Sequence, residues 1–223
     1  MVNVWEVLLD FLFPPHCPLC HAYVETRGSW CPNCLTKALQ PHRLPLSVPM
    51  QAVLADAWAL GVYKDSLRDL IRHLKYQGQR SNLAYIEQFL QAAGEQATVR
   101  KLLSGIELAV PVPLYSAKEK QRGFNQAELI FGRFLASKNL PLQRLLLRTR
   151  ATRPMYELSG RERAENLQHA FAVTEKDMLQ GKDVLLVDDI LTTGATMVEC
   201  ARTLKGAGAR SVQALVLASD HKI

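Results

Sequence analysis

Apolar and polar positions alternate along this chain with the periods of helices and strands. A capping-box-like pair, Ser66 and Asp69, precedes apolar residues at helical spacing, which predicts a helix ending near Gly78. The predicted helices that follow cover residues 82–94, 125–138 and 195–205. Continuous apolar runs predict buried strands at residues 108–112, 184–187 and 212–218, and residues 116–126 between them are predicted to be a polar loop. Strands alternating with helices indicate an α/β fold with a mostly parallel sheet and flanking helices.

The N-terminal segment differs in composition from the rest of the chain. Residues 1–15 are apolar at helical spacing, which predicts a short helix that packs on the domain through Val4, Leu8, Phe11 and Leu12. This stretch lacks the basic leader of a signal peptide and is too short to span a bilayer, so we expect no membrane insertion. A proline-rich connector at residues 41–49 predicts two units, an N-terminal unit over 1–45 and an α/β domain over 50–223.

Charge narrows the class of partner. The 223 residues include 27 Lys and Arg against 21 Asp and Glu, a formal net charge of +6. This excess favours anionic partners, and nucleic acid, nucleotide and pyrophosphate all satisfy it.

Four of the five cysteines form two CxxC knuckles in the N-terminal unit. The pairs are Cys17 with Cys20 and Cys31 with Cys34. At this spacing two sulfurs converge on one tetrahedral ion, so four thiolates predict a closed, structural Zn²⁺ site. A pair of redox dithiols, or unligated cysteines, is the alternative. The fifth, Cys200, is predicted to be a packed core residue. The clustered cysteines indicate a reducing compartment, and we expect a cytoplasmic protein.

The stretch VLLVDDILTTGATM, residues 184–197, joins a strand to two carboxylates and a small-residue loop. If 184–187 is a central strand, Asp188 and Asp189 emerge at its carboxyl end, where open α/β sheets bind ligands. The hydroxyls and backbone amides that follow, with the helix N-terminus, suit a phosphate. The carboxylates suit the vicinal hydroxyls of a ribose. A plain strand, turn and capped helix is the alternative.

DDILTTGAT after an apolar strand resembles the phosphoribosyl pyrophosphate (PRPP) loop of type I phosphoribosyltransferases. The resemblance implies that Asp188 and Asp189 hold the ribose hydroxyls. It assigns the 5-phosphate to a loop of five residues, namely Thr192, Thr193, Gly194, Ala195 and Thr196.

PRPP also carries a pyrophosphate, which requires a second anion site with Mg²⁺. The segment after the strand at 108–112 offers basic groups and a glycine before a helix, and its candidates are Lys120, Arg122 and Gly123. A solvated basic turn is the alternative.

Residues 144–163 are rich in arginine. Guanidinium groups with an interleaved aromatic suit single-stranded DNA, and a mobile lid over PRPP or merely solvated charges are the alternatives. The candidate residues for DNA contact or a lid are Arg150, Arg153, Tyr156, Arg161 and Arg163.

Together, VPVPLYSAKEKQRGFNQAELI, the arginine segment, VLLVDDILTTGAT and the CxxC pairs resemble the ComF/GntX family, whose shared features include an N-terminal zinc finger and the sequence KYxG, here residues 75–78. The family consists of phosphoribosyltransferase-like proteins linked to natural competence and the use of incoming DNA. The resemblance therefore implies PRPP, single-stranded DNA and DNA-uptake or helicase proteins as partners.

The sequence is compatible with three functions. The chain is a DNA-uptake factor with a PRPP site, a salvage or biosynthetic phosphoribosyltransferase that uses PRPP and Mg²⁺, or a regulator that senses PRPP without turnover. No residue pattern marks an acceptor pocket or a proton-transfer group, so no catalytic residue is assigned.

Overall fold

The fold is described from a computed structural model that covers residues 11–77, 82–151 and 166–220. The strands are β1 (Leu39–Arg43), β2 (Asp56–Val62), β3 (Leu108–Pro111), β4 (Leu146–Arg148), β5 (Phe171–Val173), β6 (Asp183–Leu191) and β7 (Ser211–Ser219). The helices are α1 (Pro32–Ala38), α2 (Val48–Gln51), α3 (Asp65–Gln77), α4 (Leu83–Gly94), α5 (Ala97–Leu103), α6 (Ser116–Arg122), α7 (Gln126–Ser137) and α8 (Ala195–Gly206), with a 3₁₀ turn at Lys176–Leu179.

Within the described residues, the main sheet has five strands in the order β1-β2-β7-β6-β3. The four strands β2, β7, β6 and β3 pair in parallel, and β1 pairs antiparallel with β2 at one edge. The predicted α/β class with a mostly parallel sheet is therefore confirmed. The edge strand β1 begins directly after α1, the helix of the second cysteine knuckle, and extends into the proline-rich connector. Part of that connector therefore belongs to the sheet.

Each face of the sheet is covered by its own apolar core. One core includes Leu185 and Val187 of β6 with buried residues of α3, α4 and α7. The other includes Val184 and Leu186 with residues of α2 and α8. Because successive side chains of a strand point to opposite faces, this alternation places α3 and α8 on opposite sides of β6.

The four long helices lie where helical periodicity predicts them, at α3, α4, α7 and α8. The prediction of a polar loop over 116–126 is wrong, because residues 116–122 form α6. Gly123 ends this helix in the left-handed conformation, with φ of 81°. Its helical turn carries mostly charged side chains and none is buried, so apolar periodicity gave no signal for it.

The predicted strand at 184–187 is longer than its apolar run. It continues through Asp188 to Leu191, and its register with β7 extends to the pair Leu191 and Ser219. The prediction that the two aspartates leave the strand is therefore wrong, because the equally long β7 keeps them in the sheet.

Two short strands, β4 and β5, form a separate antiparallel pair. The chain between them contains residues 152–165, which lie outside the described residues. At the N-terminal end, Phe11 and Leu12 are 83% and 59% exposed, so the prediction that these two residues pack on the domain is wrong. The other two residues of that prediction, Val4 and Leu8, lie outside the described residues. Among the described residues, no helix is long and apolar enough to cross a membrane.

Candidate functional site

The four clustered cysteines converge at one point. One sulfur from each lies within 4.8 Å of the others, and the Cys20 and Cys31 sulfurs are 3.7 Å apart. A tetrahedral zinc with Zn–S bonds of about 2.3 Å holds its sulfurs about 3.8 Å apart. The cluster therefore fits a structural zinc ion with four thiolate ligands, as the CxxC spacing predicts.

Local backbone geometry brings these sulfurs together. The first knuckle is a tight turn in which the Cys17 N–H donates to the Ala22 carbonyl at 2.8 Å and His21 takes a left-handed φ of 58°. The second knuckle uses α1, since Cys31 is its N-cap and Cys34 lies in its first turn. Burial and the neighbouring sulfurs raise the pKa of Cys34 to about 12, so its thiolate form is disfavoured. A bound cation offsets this cost because it neutralises the thiolates.

The metal centre packs directly on the α/β domain. The Trp30 indole N–H donates to the Tyr85 carbonyl of α4 at 3.0 Å, and the Trp30 ring packs near Phe89 with centroids 6.4 Å apart. A second tie joins the first knuckle to α3, where the Ser66 hydroxyl donates to the Pro18 carbonyl at 2.7 Å.

The two aspartates of β6 face different neighbours. Asp189 is buried, and its carboxylate pairs with Lys75 of α3. Burial raises the pKa of the Cys200 thiol of α8, and the nearby charge of Asp188 raises it further. Burial, and then the neighbouring charge of Asp189, raise the pKa of Asp188 to about 8. Cys200 is fully buried, as predicted.

Lys75 is the principal site residue that the sequence did not assign. Its Nζ lies 2.8 Å from Asp189 Oδ2, with both side chains largely buried. Burial alone lowers the pKa of Lys75, but the charge and hydrogen bond of Asp189 raise it above its ordinary value, so the lysine is a cation. The available signals were its place in the KYxG sequence and its helical spacing from Arg68 and Arg72, which form a basic stripe with it on α3. Neither signal indicates which residue Lys75 contacts.

The small-residue loop leads from β6 into α8. Thr192 and Thr193 are exposed, while Gly194 is buried and Ala195 and Thr196 start the helix half-buried. Gly194 is the N-cap with a left-handed φ of 73°, and a Cβ there would lie 2.9 Å from Met50 Sδ. Glycine is therefore required for the turn that presents the helix N-terminus to solvent beside these hydroxyls.

The predicted pyrophosphate segment lies at the carboxyl end of β3, which neighbours β6. The Val112 N–H donates to the Val187 carbonyl at 2.9 Å, so the chain leaves β3 beside the aspartates. Lys120 and Gly123 are exposed, and Arg122 is half-buried with its guanidinium donating to Gln126 Oε1.

Gln126 begins α7 and adds a buried donor to this segment. It is 3% exposed, and its Nε2 has no hydrogen-bond partner among the described residues. Asn125 precedes it as the N-cap, accepting from the Glu128 N–H and donating to the Val112 carbonyl at 2.9 Å. These side chains fix the start of α7 next to the end of β3.

Only one of the predicted DNA or lid residues is described. Arg150 is exposed, and its Nη2 donates to the Gln168 carbonyl at 2.8 Å, near the base of the β4 and β5 pair. The other four, Arg153, Tyr156, Arg161 and Arg163, lie outside the described residues. Arg144, at the start of the same segment, is held by Glu119 of α6 and Glu128 of α7.

Comparison with known proteins gives two domain matches. Residues 136–222 match the model of the phosphoribosyl transferase domain, and residues 8–45 match that of the double zinc ribbon domain. The second match supports the assignment of the four cysteines to structural zinc.

Relatives are found over most of the chain. Competence protein F of Haemophilus influenzae is 28% identical over 206 residues, which cover 92% of this chain and 84% of that protein. The DNA utilization protein YhgH of Escherichia coli K12 is 30% identical over 210 residues, covering 88% of this chain and 87% of that protein. Among solved structures, adenine phosphoribosyltransferase from Leishmania tarentolae covers 80% of this chain and 95% of its own, with 11% identity and a TM-score of 0.41.

Proposed function

This chain belongs to the family of competence protein F and the DNA utilization protein YhgH, and from that premise we propose that it is a PRPP-binding protein of DNA utilization in the cytoplasm. The proposed role in competence and DNA use is based on the names of these relatives. The geometry of the site supports PRPP as the ligand, and the phosphoribosyl transferase domain match over residues 136–222 agrees with this choice of ligand.

One juxtaposition supports PRPP. Two carboxyl groups of β6 lie one short turn before the N-terminus of α8, and Gly194 holds that turn in a left-handed conformation. A ribose 5-phosphate matches both parts, since vicinal hydroxyls donate to Asp188 and Asp189 while the phosphate accepts from the Thr192–Thr196 loop. A ligand with phosphate alone gives the carboxyl groups no donor.

The pyrophosphate of PRPP is assigned to the end of β3. Lys120 and Arg122 supply the basic groups beside the Gly123 turn, and Nε2 of Gln126, which has no partner among the described residues, supplies a further donor. Mg²⁺ held with the pyrophosphate at this segment would supply charge neutralisation of a pyrophosphate leaving group.

Calorimetry with PRPP and Mg²⁺ tests the binding site. The double variant Asp188→Asn, Asp189→Asn should remain folded and lose measurable binding. Asp183→Asn is the matched control, because Asp183 lies on the same strand but pairs with Arg210 at the opposite end. Unchanged affinity in the double variant would contradict the site assignment.

Pyrophosphate release distinguishes a binder from a transferase. PRPP is incubated with the protein and a panel of bases, nucleotides and single-stranded DNA. Release that depends on one acceptor class identifies a phosphoribosyltransferase and its substrate, whereas tight binding without release identifies a sensor.

Single-stranded DNA is the proposed macromolecular partner, in keeping with the net charge of +6. Its binding should weaken steeply with salt, because phosphate contacts release counterions. The triple variant Arg153→Gln, Arg161→Gln, Arg163→Gln should lower the salt slope by about two if these arginines contact DNA, at roughly 0.7 per contact. An unchanged slope with slower PRPP turnover would assign the segment to a lid instead.

A further inference from the structure

The geometry points to Lys75 as the positioning residue of the PRPP site: its ammonium group holds the Asp189 carboxylate in the orientation that accepts the ribose hydroxyls. This inference rests on the proposed function, because it assigns a role within the same site. Lys75 acts through Asp189 and is given no contact with the reacting atoms.

The ion pair is built into the interior of the protein. Lys75 Nζ is 2.8 Å from Asp189 Oδ2, and the two side chains are 22% and 7% exposed. Bringing two charges out of water is costly, so a pair of this kind is retained only with good geometry, and removing one partner leaves an uncompensated buried charge. The pair therefore constrains the carboxylate far more than an exposed salt bridge would.

The closest approach of the lysine to the Asp189 carboxylate is at Oδ2. A carboxylate has two oxygens and about four acceptor positions, so one ammonium group leaves acceptor positions for other donors. By fixing Oδ2, Lys75 also fixes the plane of the group and hence the direction of Oδ1. Because hydrogen bonds weaken steeply away from linear geometry, the direction of these acceptors decides how well two vicinal hydroxyls bind.

The position of Lys75 is itself fixed by the packing of α3. Leu67, Leu70, Ile71 and Leu74 of this helix are all buried in the core against β6 and β7. These contacts set the rotation of α3 about its axis. Lys75 follows Leu74 directly, so the buried face of the helix brings its side chain to the end of the sheet where Asp189 lies.

The other basic residues of the same stripe do not share this environment. Arg68 is exposed and pairs with its neighbour Asp69 at 3.3 Å, and Arg72 is exposed. The three residues look equivalent in sequence, but only Lys75 is within reach of a site residue. Arg72 is therefore a matched control, since it lies one turn earlier on the same helix and carries the same charge.

Calorimetric titration with PRPP and Mg²⁺ tests the inference on the full-length, zinc-containing protein. Lys75→Met keeps the length of the side chain but removes the charge, and it should weaken PRPP binding about ten- to a hundredfold, the size of a lost charged hydrogen bond. Lys75→Arg restores a cation and should bind within about fivefold of the wild type. Arg72→Met should leave the affinity unchanged. Circular dichroism confirms folding, and Lys75→Gln replaces Lys75→Met if the latter does not fold.

Three results overturn the inference. The first is wild-type affinity in Lys75→Met, or in Lys75→Gln where that variant replaces it. The second is an equal loss in Arg72→Met, which would show an effect of net charge. The third is a failure of Lys75→Arg to improve on the uncharged variant. Failure of the proposed function is distinct, because then the wild-type protein itself does not bind PRPP.

Discussion

The Ser66 hydroxyl donates a hydrogen bond of 2.7 Å to the carbonyl oxygen of Pro18, which lies between the first two cysteines of the metal centre. Ser66 is in the first turn of α3, and Lys75, which pairs with Asp189, is in its last turn. At 1.5 Å per residue, about 14 Å of helix separates the two. A single helix thus connects the metal centre with the candidate PRPP site.

Replacing Ser66 should destabilise this connection. Ser66 is 7% exposed, so Ser66→Ala removes a buried hydrogen bond and leaves the Pro18 carbonyl without this donor. We expect the free energy of unfolding to fall by about 1–2 kcal/mol in urea denaturation. Ser104→Ala is the control, since the exposed Ser104 bonds only within its own turn to Lys101, and it should change stability by less than about 0.5 kcal/mol. Equal stability of both variants would mean that the tie contributes nothing.

Zinc removal should affect both ends of α3. Protein purified without chelator should contain about one zinc per chain, because four thiolates complete one tetrahedral site. Chelation should lower the melting temperature and also weaken PRPP binding, since the first knuckle supports the helix that carries Lys75. Metal analysis and calorimetry before and after chelation and zinc re-addition measure this. Absence of zinc from the purified protein would contradict the assignment of a zinc site. Unchanged PRPP affinity of the apoprotein would show that the two sites are independent.

Stability should depend on pH through Asp188. Its pKa is about 8 in the folded protein against an ordinary value of 3.8, because burial and Asp189 disfavour its charge. Between these two pH values the folded state binds more protons than the unfolded state. The contribution of Asp188 to the free energy of unfolding is therefore fully present below about pH 4 and is lost as the pH rises through about 8. The other charged group that acts on it is Lys75, which lowers the pKa of Asp188, while Cys200 across the α8 side is a neutral thiol because burial raises its pKa.

Urea denaturation of the wild type and Asp188→Asn between about pH 5 and about pH 9 measures this dependence. The stability of the wild type relative to the variant should fall with rising pH and level off above about 8. Asp183→Asn should show no such trend, because Arg210 lowers the pKa of Asp183 and its titration lies below this window. A constant difference for Asp188→Asn would contradict a raised pKa.

Gly194 should tolerate no side chain. Its φ of 73° is unfavourable for other residues, and a Cβ would lie 2.9 Å from Met50 Sδ. Gly194→Ala should cost about 1–3 kcal/mol of stability and weaken PRPP binding by displacing the start of α8. Gly132→Ala is the matched control, because Gly132 lies inside α7 with its nearest neighbour, Leu142 Cδ2, at 4.0 Å from a built Cβ. That variant should be neutral or slightly stabilising in thermal denaturation.

Local patterns in the sequence determined the elements and the chemistry of the two centres. Apolar periodicity placed α3, α4, α7 and α8, because burying one face of a helix demands that spacing. The CxxC spacing indicated the four-cysteine cluster, since a knuckle is a local turn. Asp188, Asp189 and the threonine loop were recognisable because the strand, the turn and the helix that we propose as the ribose phosphate site are contiguous in the chain.

Tertiary structure decided what distant segments do to one another. Pairing with β7 extends β6 to Leu191, an interaction that depends on a strand over twenty residues away and is invisible in the run at 184–187. The charged helix α6 has no apolar face to reveal it. The contact of Lys75 with Asp189 joins residues more than a hundred positions apart, and only the rotation of α3 on the sheet selects Lys75 over Arg68 and Arg72. Sequence spacing supplies candidates for such a pair, but packing of the intervening core selects the partner.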